Sequence, residues 1–395
     1  MSGLRRAAVS VVPSRTAGAL AGRSAGIRLG LAAAVLAALV SAASAQRPAA
    51  EAAPARAPGT RAAATVLRAV DSLFADYSVP SAPGASVVVI RRGRVLLERA
   101  YGLADLEART PAAPRTDFRL ASLTKQFTAM AVMILAEQGR LNYDDPLARF
   151  LPSLPAHARD VTIRNLLNHT SGLWDYEDFV PDSQTYQVKD RDVLQLILRA
   201  DSLYFPPGSA YRYSNTGYAL LALVVERVSG MPFARFLRDR VFRPAGMAST
   251  VAYEEGVSEV PSRAYGHSRD STGWRRTDQS NTSAVLGDGG IYTSVDDLVR
   301  WDRALERHTL VSAATQQAAW TPAVLSSGRS TEYGFGWYVR REDGRLRVWH
   351  TGTTRGFRNA ILRYPDERLT VVVLTNRNEG EPIAIAQQVA ALFRD

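Results

Sequence analysis

Apolar residues divide this chain into three parts with different periodicities. The first part has helical spacing at 61–77 and then two apolar runs, Ala85–Arg91 and Arg94–Tyr101, around an Arg-Gly turn that is typical of a hairpin. From about 140 to 285 the pattern is helical, with irregular loops and few strands. The last part returns to short apolar runs and ends in a helical segment at about 382–393.

Further elements follow from the same pattern. Helices are predicted at 161–168, 191–200, 217–229 and 294–305. Late strands are predicted at 336–341, 346–349, 357–364 and 369–374. Two early and four late strands favour one antiparallel sheet that both ends of the chain share.

We therefore predict an α/β (α+β) fold, in which helices flank a discontinuous antiparallel sheet. The α/β lobe consists of 61–121 and 287–395, and an all-helical lobe at about 122–286 is inserted between them. The run Phe127–Ala136 is apolar on nearly every face, so the helix that contains it is buried, and Gly139 ends it. No internal repeat is evident.

The N-terminal residues have the pattern of a secretory signal peptide. Residues 1–28 contain five arginines and no acid, an apolar stretch follows at Leu29–Val40, and Ala43-Ser44-Ala45 precedes Gln46. Cleavage is expected after Ala45, and 46–60 is an Ala- and Pro-rich linker. The prediction is a secreted or periplasmic protein with no stable membrane insertion. A retained signal that acts as an anchor is the alternative.

Composition excludes several other classes of protein. The net charge is +10, but the 48 basic residues are scattered, with no basic run interleaved with aromatics, so nucleic acid is not an expected partner. The chain has no cysteine, hence neither disulfides nor a lipid-attachment site. The five histidines lack metal-ligand spacing, and we expect no metal or cofactor.

Lysine is rare in this chain. Only two of the 48 basic residues are lysines, Lys125 and Lys189. A buried amine can lose its proton and act as a base, whereas a guanidinium stays charged. Lys125 follows Ser122 by three residues at the start of the buried helix, so their side chains lie on one side. The pair suits a nucleophilic serine beside a neutral amine. The alternative is a serine N-cap and a lysine that reaches solvent.

Two more short motifs precede or end regular elements. Tyr213-Ser214-Asn215 stands before a helix, so one interpretation is that Asn215 or Ser214 caps the helix and Tyr213 packs. In the other, Tyr213 is a phenol that shares a proton with a serine or an amine, and Asn215 orients a substrate carbonyl or the lysine. His350-Thr351-Gly352-Thr353 closes the predicted strand 346–349. It is either a simple strand end or an exposed edge whose backbone N–H, with that of Ser122, binds an oxyanion.

Two common motifs do not fit this chain. Gly287-Asp288-Gly289-Gly290 lacks the Lys-Ser/Thr ending of a phosphate-binding loop. No Gly-x-Ser-x-Gly elbow is present, which disfavours an α/β-hydrolase. His169 is expected to serve the end of the helix at 161–168.

The three motifs together resemble those of the serine β-lactamase and penicillin-binding-protein superfamily. The motifs are Ser122-Leu-Thr-Lys125, Tyr213-Ser-Asn215 and His350-Thr-Gly352, and the Tyr-x-Asn form is similar to the branch of class C β-lactamases, esterases and D-aminopeptidases. The resemblance covers roughly 61–390 and implies the β-lactamase/transpeptidase-like fold. The site would lie between the two lobes.

The resemblance also implies roles for single residues. Ser122 would be the nucleophile, and Lys125 and Tyr213 would move its proton, with the base in each half-reaction left open. Asn215 would hold the substrate, and the N–H groups of Ser122 and Thr353 would form the oxyanion hole. His350, Thr351, Gly352 and Thr353 would line the substrate site.

One residue departs from the antibiotic-hydrolysing relatives. They usually have lysine where this chain has His350, whose charge is expected to depend on pH. We therefore expect a serine hydrolase that cleaves a small-molecule ester, amide or D-peptide, including peptidoglycan peptides. The alternatives are a β-lactamase and a non-catalytic, penicillin-binding-like sensor of the cell wall.

Overall fold

The computed structural model describes residues 60–181 and 183–394. The predicted signal peptide and its cleavage site, with nearly all of the predicted linker, lie outside these residues. Among the described residues, no helix has the length and apolar character needed to cross a membrane.

Six antiparallel strands form the main sheet. Their order is Tyr338–Glu342, Arg345–Thr354, Phe357–Tyr364, Leu369–Thr375, Ala85–Arg91 and Arg94–Tyr101. The last strand of the chain pairs with the first, with Val372 opposite Val88. The sheet is therefore built from both ends of the chain, which confirms the prediction of a discontinuous antiparallel sheet.

Both faces of the sheet are covered. One face packs against the terminal helices Thr60–Leu73 and Pro382–Phe393. The other face belongs to a larger apolar cluster that includes Lys125–Glu137 and Val295–Glu306. Leu369–Thr375 is buried at every position, because a strand covered on both faces has no solvent side.

The strand that contains the third motif is longer than predicted. It runs from Arg345 to Thr354 instead of ending at Trp349, so His350–Thr353 lies within it. Thr354 pairs with Phe357 across a two-residue turn, and the pairing continues to Val348. Glycine and threonine gave a weak strand signal here, but long-range pairing decides strand formation.

The helix after the first motif also differs in detail. A 3-10 helix, Ala121–Thr124, comes first, and the α-helix Lys125–Glu137 follows it. Ser122 therefore lies in the tighter turn, and Lys125 is the first residue of the α-helix. The predicted end at Gly139 is confirmed, since this residue has a φ of 69° directly after the helix.

Helices are the main regular elements of the inserted segment, and irregular loops connect them. Its α-helices are Ile163–Leu167, Asp190–Ile197, Asn215–Ser229, Phe233–Leu237 and Arg243–Ala245. It also contains three short strands that were not predicted, Val251–Ala252, His267–Asp270 and Gly273–Arg276. Strands this short carry too few residues for a periodic signal.

The other regular elements are short or lie beside the main sheet. The remaining α-helices are Leu286–Gly289 and Ala313–Ala319, and the remaining strands are Leu103–Asp105, Thr110–Pro111, Phe118–Arg119 and Ile291–Thr293. The 3-10 segments are Ala75–Tyr77, Leu147–Arg149, Ala156–Ala158, Tyr176–Phe179 and Pro365–Glu367, and Arg238–Phe242 is a π-helical turn. Ser294 is the N-cap of Val295–Glu306, within the helix predicted at 294–305, and its hydroxyl accepts from the N–H of Asp297.

Candidate active site

The turn that carries Ser122 is fixed to the edge of the main sheet. The buried amide of Asn359 donates to the carbonyl oxygens of Arg119 and Leu120, at 2.8 and 3.3 Å. Gly352 lies so close that a Cβ there would stand 2.1 Å from the carbonyl oxygen of Leu120. The first and third motifs are therefore in contact, and only glycine fits at position 352.

Backbone strain occurs directly before the nucleophile candidate. Ala121 has a φ of 51°, in the left-handed region that residues with a Cβ rarely adopt. Such strain persists only where the surroundings enforce it, and it is common at functional sites. Here it accompanies the sharp passage from the short strand Phe118–Arg119 into the 3-10 turn.

The amine of Lys125 connects the first two motifs. Its Nζ lies 3.1 Å from Ser122 Oγ and donates to Asn215 Oδ1 at 2.8 Å and to the backbone carbonyl of Asp288 at 3.1 Å. The side chain has no exposed surface. The alternative of a lysine that reaches solvent is therefore wrong.

Burial lowers the pKa of the Lys125 amine below its ordinary value, and the carboxylates of Asp288 and Asp175 oppose that fall. A neutral amine has two N–H donors and one lone pair. Two of its neighbours, Asn215 Oδ1 and the carbonyl of Asp288, can only accept. The lone pair of a neutral Lys125 is thereby left for the proton of Ser122.

Tyr213 lies beside this amine. Lys125 Nζ is 5.0 Å from the centroid of the Tyr213 ring. The ring is half-buried, while its hydroxyl oxygen is shielded from solvent and has no hydrogen-bond partner among the described residues. Burial raises the pKa of this phenol above its ordinary value, and the neighbouring Ser122 hydroxyl opposes the rise. The phenol therefore keeps its proton near neutral pH.

His169 holds the segment that contains Tyr213. Its carbonyl accepts from the N–H of Arg212 at 3.0 Å, and its Nδ1 accepts from the N–H of Ser214 at 3.2 Å. Its ring centroid is 4.3 Å from that of Tyr213. Sequence reasoning assigned His169 to a helix end and missed this contact. The one available signal was its position in the stretch Leu166–Leu173, which the family resemblance includes.

His350 is held on both ring nitrogens by the protein. Nδ1 is 2.6 Å from the carbonyl of Thr351, which can only accept, so Nδ1 carries the proton. Nε2 then accepts from the hydroxyl of Tyr333 at 2.9 Å. Burial lowers the pKa of His350 to about 3, so the ring is neutral near pH 7. The charge of His350 therefore changes at a pH well below neutral, because desolvation disfavours the cation.

Part of the third motif has a free strand edge. The neighbouring strand Tyr338–Glu342 ends opposite Trp349, so no strand of the described residues pairs with positions 350–354 on that side. Thr354 and Phe357 flank a two-residue turn and form a hydrogen-bonded pair, and such pairs alternate along an antiparallel ladder. The N–H of Thr353 therefore points to the free edge. The turn that leads to Ser122 contacts this strand at Gly352.

Acidic groups surround the second motif. Asp175 Oδ2 accepts from the N–H of Asn215 at 2.7 Å. Burial raises the pKa of Glu177 above its ordinary value, and the Asn215 side chain opposes that rise. Among residues 60–181 and 183–394, neither Asp175 nor Glu177 takes part in an ion pair. This side of the site therefore contains two carboxyl groups.

A buried carboxyl group lies behind the lysine. Tyr176 donates to Asp288 Oδ2 at 3.0 Å, and burial raises the pKa of Asp288 above its ordinary value. The sequence drew attention to the glycines around Asp288 but assigned them no role. Within the part of the chain that the structure describes, no group of His, Cys, Asp or Glu side chains is arranged to hold a metal ion.

Solvent reaches this cluster from one side. Ser122, Tyr213, Asn215 and Thr351 are partly exposed and Thr353 is exposed, whereas Lys125, Gly352 and His350 are buried. A ligand would thus meet the hydroxyl of Ser122 and the strand edge while the amine of Lys125 stays dry. Contacts of Lys125 join Ser122, Tyr213 and Asn215. The ring centroid of His350 lies 6.2 Å from that of Tyr213, and Gly352 contacts Leu120. Thr351 and Thr353 flank Gly352 on the same strand.

Comparisons with known proteins agree with this geometry. A family model described as Beta-lactamase matches residues 70–393. Penicillin-binding protein 4* of Bacillus subtilis is 35% identical over 326 residues, which cover 78% of this chain and 72% of that protein. A D-aminopeptidase of Gluconobacter oxydans is 30% identical over 320 residues, and this chain spans 58% of its length.

Solved structures show the same fold. The octameric penicillin-binding protein homologue from Pyrococcus abyssi has a TM-score of 0.72 and 27% identity, with 84% of this chain and 77% of that chain covered. The match extends over both the sheet and the inserted segment. The β-lactamase/transpeptidase-like fold expected from the sequence is confirmed.

Proposed function

This chain belongs to the beta-lactamase family, whose relatives here are serine hydrolases, and we propose that it cleaves an ester or amide bond through an acyl-enzyme on Ser122. One observation carries the proposal. The buried amine of Lys125 lies 3.1 Å from the hydroxyl of Ser122, with both of its N–H groups directed to carbonyl oxygens. The lone pair is thus aimed at the serine proton.

Acylation follows from this arrangement. Lys125 takes the proton of Ser122 as Oγ attacks the substrate carbonyl, and the N–H groups of Ser122 and Thr353 receive the developing oxyanion. Tyr213 gives its proton to the leaving group and regains one from the Lys125 ammonium. This assignment uses Tyr213 as an acid because burial keeps its phenol protonated.

Deacylation runs the same transfers in reverse. Water loses a proton to the Tyr213–Lys125 pair as its oxygen attacks the acyl carbon, and Ser122 recovers its proton when Oγ leaves. The side chain of Asn215 orients both the amine and the bound acyl group. Thr351 forms part of the strand edge, and Gly352 leaves room for the turn before Ser122. Their side chains take no part in the chemical steps.

Charge favours neutral or cationic acyl groups over carboxylates. His350 is neutral and both of its ring nitrogens are engaged, so it offers no cation to a substrate carboxylate. The carboxyl groups of Asp175 and Glu177 lie on the Asn215 side and can accept hydrogen bonds from an ammonium group. Simple esters and amino-acid amides, including the D-amino acid type named for the Gluconobacter relative, are therefore favoured over β-lactams.

The proposed location is outside the cytoplasm. Support comes from the arginine-rich start, the apolar stretch Leu29–Val40 and the Ala43-Ser44-Ala45 site. N-terminal sequencing of the exported protein should begin at Gln46. A first residue within 1–30 would mean that the signal is retained.

Two measurements test the activity. Mass spectrometry after treatment with a fluorophosphonate should find one adduct on Ser122 and none in Ser122→Ala. Turnover is then compared for p-nitrophenyl esters, D-amino-acid amides and a chromogenic cephalosporin, with Ser122→Ala beside the wild type. Absence of an adduct on Ser122 after treatment with both the fluorophosphonate and a β-lactam would refute the proposal. Faster turnover of the cephalosporin than of the esters and amides would refute the substrate preference.

A further inference from the structure

A carboxylate remote from the nucleophile holds the turn that supports Lys125. Asp190 is the first residue of the helix Asp190–Ile197 and is 9% exposed. Its Oδ2 accepts from the N–H of Leu286 and its Oδ1 from the N–H of Gly287, each at 2.9 Å. Both oxygens are thus bound to consecutive N–H groups of another segment.

These N–H groups begin a helix of a single turn, Leu286–Gly289. One turn is too short to be stable alone, and its first N–H groups have no acceptor within the helix. A carboxylate at that end satisfies two of them and favourably meets the partial positive charge there. Asp190 therefore accounts for much of the order of this turn.

The same turn fixes the lysine. The carbonyl of Asp288 accepts from Lys125 Nζ at 3.1 Å, and the carbonyl of Gly287 accepts from Thr128 Oγ1 at 2.7 Å. A Cβ on Gly287 would stand 2.3 Å from the carbonyl oxygen of Tyr218, so the turn is pressed against the helix Asn215–Ser229. Asp190 and Lys125 therefore contact opposite ends of one short, closely packed element.

The direction of the lysine lone pair depends on that element. With the Asp288 carbonyl in place, the two N–H groups of a neutral Lys125 are both used, and the lone pair faces Ser122. If the carbonyl moves away, the amine can rotate and present an N–H to Ser122 Oγ instead. A donor in that position cannot take the serine proton.

We propose that Asp190 is a positioning residue for acylation, which orients the lone pair of Lys125 through the turn Leu286–Gly289. The proposal rests on the acyl-transfer function assigned above to Ser122 and Lys125. Asp190 does not touch the substrate or the reacting atoms, so its effect must pass through Lys125. That requirement makes the idea testable by a double-mutant cycle.

The test uses Asp190→Asn, which keeps the shape but replaces one acceptor oxygen by an NH2 group that faces an N–H donor. The measured quantity is the second-order rate constant for fluorophosphonate modification of Ser122, followed by mass spectrometry. We expect this rate constant to fall by about 10- to 100-fold, as it does when a catalytic group is misplaced. With a p-nitrophenyl ester the loss should appear in kcat and leave KM within about twofold, because Asp190 positions Lys125 and not the bound acyl group.

The cycle repeats the substitution in a Lys125→Ala background. Without the amine there is no lone pair to orient, so Asp190→Asn should then change the modification rate less than about twofold. Asp192→Asn is the matched control, since Asp192 lies on the same helix and its carboxylate accepts from the N–H of Lys189 instead of from the turn. This control should react at the wild-type rate.

Each result decides a separate point. A wild-type protein that forms no Ser122 adduct would refute the function itself. A normal rate for Asp190→Asn, or a loss of equal size in both backgrounds, would overturn the role of Asp190 alone. If Asp190→Asn does not fold, the double-mutant cycle is repeated with Thr128→Val, which removes the hydrogen bond from Thr128 to the carbonyl of Gly287. An equal loss of modification rate with and without Lys125 would then overturn the proposal.

Discussion

An amine with two carbonyl oxygens and one hydroxyl around it has a single direction left for its lone pair. This is the situation of Lys125, and arginine cannot reproduce it, because a guanidinium has only donors and stays protonated. A substitution of Lys125 by arginine therefore keeps the positive charge but not the lone pair.

We predict that Lys125→Arg lowers the rate of Ser122 acylation by about 100- to 10,000-fold, the range for loss of a general base. The rate of adduct formation with a fluorophosphonate measures the effect. Lys189→Arg is the control, since Lys189 is the second lysine of the chain and is exposed. An arginine at 125 that reacts as fast as the wild type would contradict the neutral-amine role.

The imidazole of His350 gives a second prediction at the level of one residue. Burial lowers its pKa to about 3 from an ordinary value of 6.5, so between these values the unfolded chain binds more protons than the folded one. The contribution of His350 to the free energy of unfolding is complete above about pH 6.5 and is lost as pH falls toward 3.

A heteronuclear NMR titration should show a neutral ring with its proton on Nδ1 throughout the range from about pH 8 to 5, the range in which an unperturbed histidine changes charge. The His350 signal is identified by its absence from His350→Gln. A midpoint near the ordinary value would mean that Tyr333 and Thr351 do not hold the ring as described.

At the scale of elements, the site depends on how closely a strand and a turn approach each other. Gly352 in Arg345–Thr354 leaves no room for a Cβ beside the carbonyl of Leu120, two residues before Ser122. Asn359 on the next strand then bonds that same carbonyl. Backbone contact therefore fixes the distance between this strand and the turn that contains Ser122. Rearrangement of side chains cannot restore that distance once it is lost.

We predict that Gly352→Ala lowers kcat/KM by about 100-fold, because the added methyl group separates Thr353 from Ser122 and small displacements of this kind are costly for catalysis. Thermal unfolding should change much less than activity, since the rest of the strand keeps its pairing. Thr354→Ala, on the same strand beside the turn, is the control. A fully active Gly352→Ala would show that the approach is not required.

The strand bounds show where sequence patterns succeed at this scale. Ala85–Arg91, Arg94–Tyr101 and Phe357–Tyr364 have the predicted limits, because turn residues stop each apolar run. The strand through His350 was too short in the prediction, since its second half is specified by its partner strand. The short strands near Val251 and His267 were missed because they contain too few residues for a periodic signal.

For the whole molecule, the order of the strands joins the two ends of the chain. Leu369–Thr375 lies between Phe357–Tyr364 and Ala85–Arg91, and the helix Pro382–Phe393 covers one face of these strands. The site between the sheet and the inserted segment therefore requires the C-terminal residues, although none of them is near Ser122 in sequence.

We predict that a protein truncated after Glu381 is aggregated, because loss of the last helix uncovers apolar positions such as Val371 and Val373. Size-exclusion chromatography measures the soluble monomer or defined oligomer. A protein truncated after Phe393 is the control, since it keeps the whole last helix and loses only the last two residues, with the ion pair between Arg394 and Glu367. Soluble, active protein after the longer truncation would contradict this account.

Sequence alone determined those features that depend on neighbours a few positions away. Apolar periodicity identified the buried helix after Ser122, and helical geometry placed Lys125 on the same side three residues later. The order of three short motifs indicated the family. The N-terminal pattern likewise predicts export, a property of the chain before it folds.

Only the tertiary structure decided which distant groups surround that serine and lysine. The carbonyl of Asp288, the amide of Asn359 and the ring of His169 come from separate segments and carry no periodic signal. The neutrality of His350 also required the fold, because desolvation depends on everything packed around a side chain and not on its neighbours in sequence. Local patterns therefore specified the reacting pair, and long-range packing set its orientation and charge.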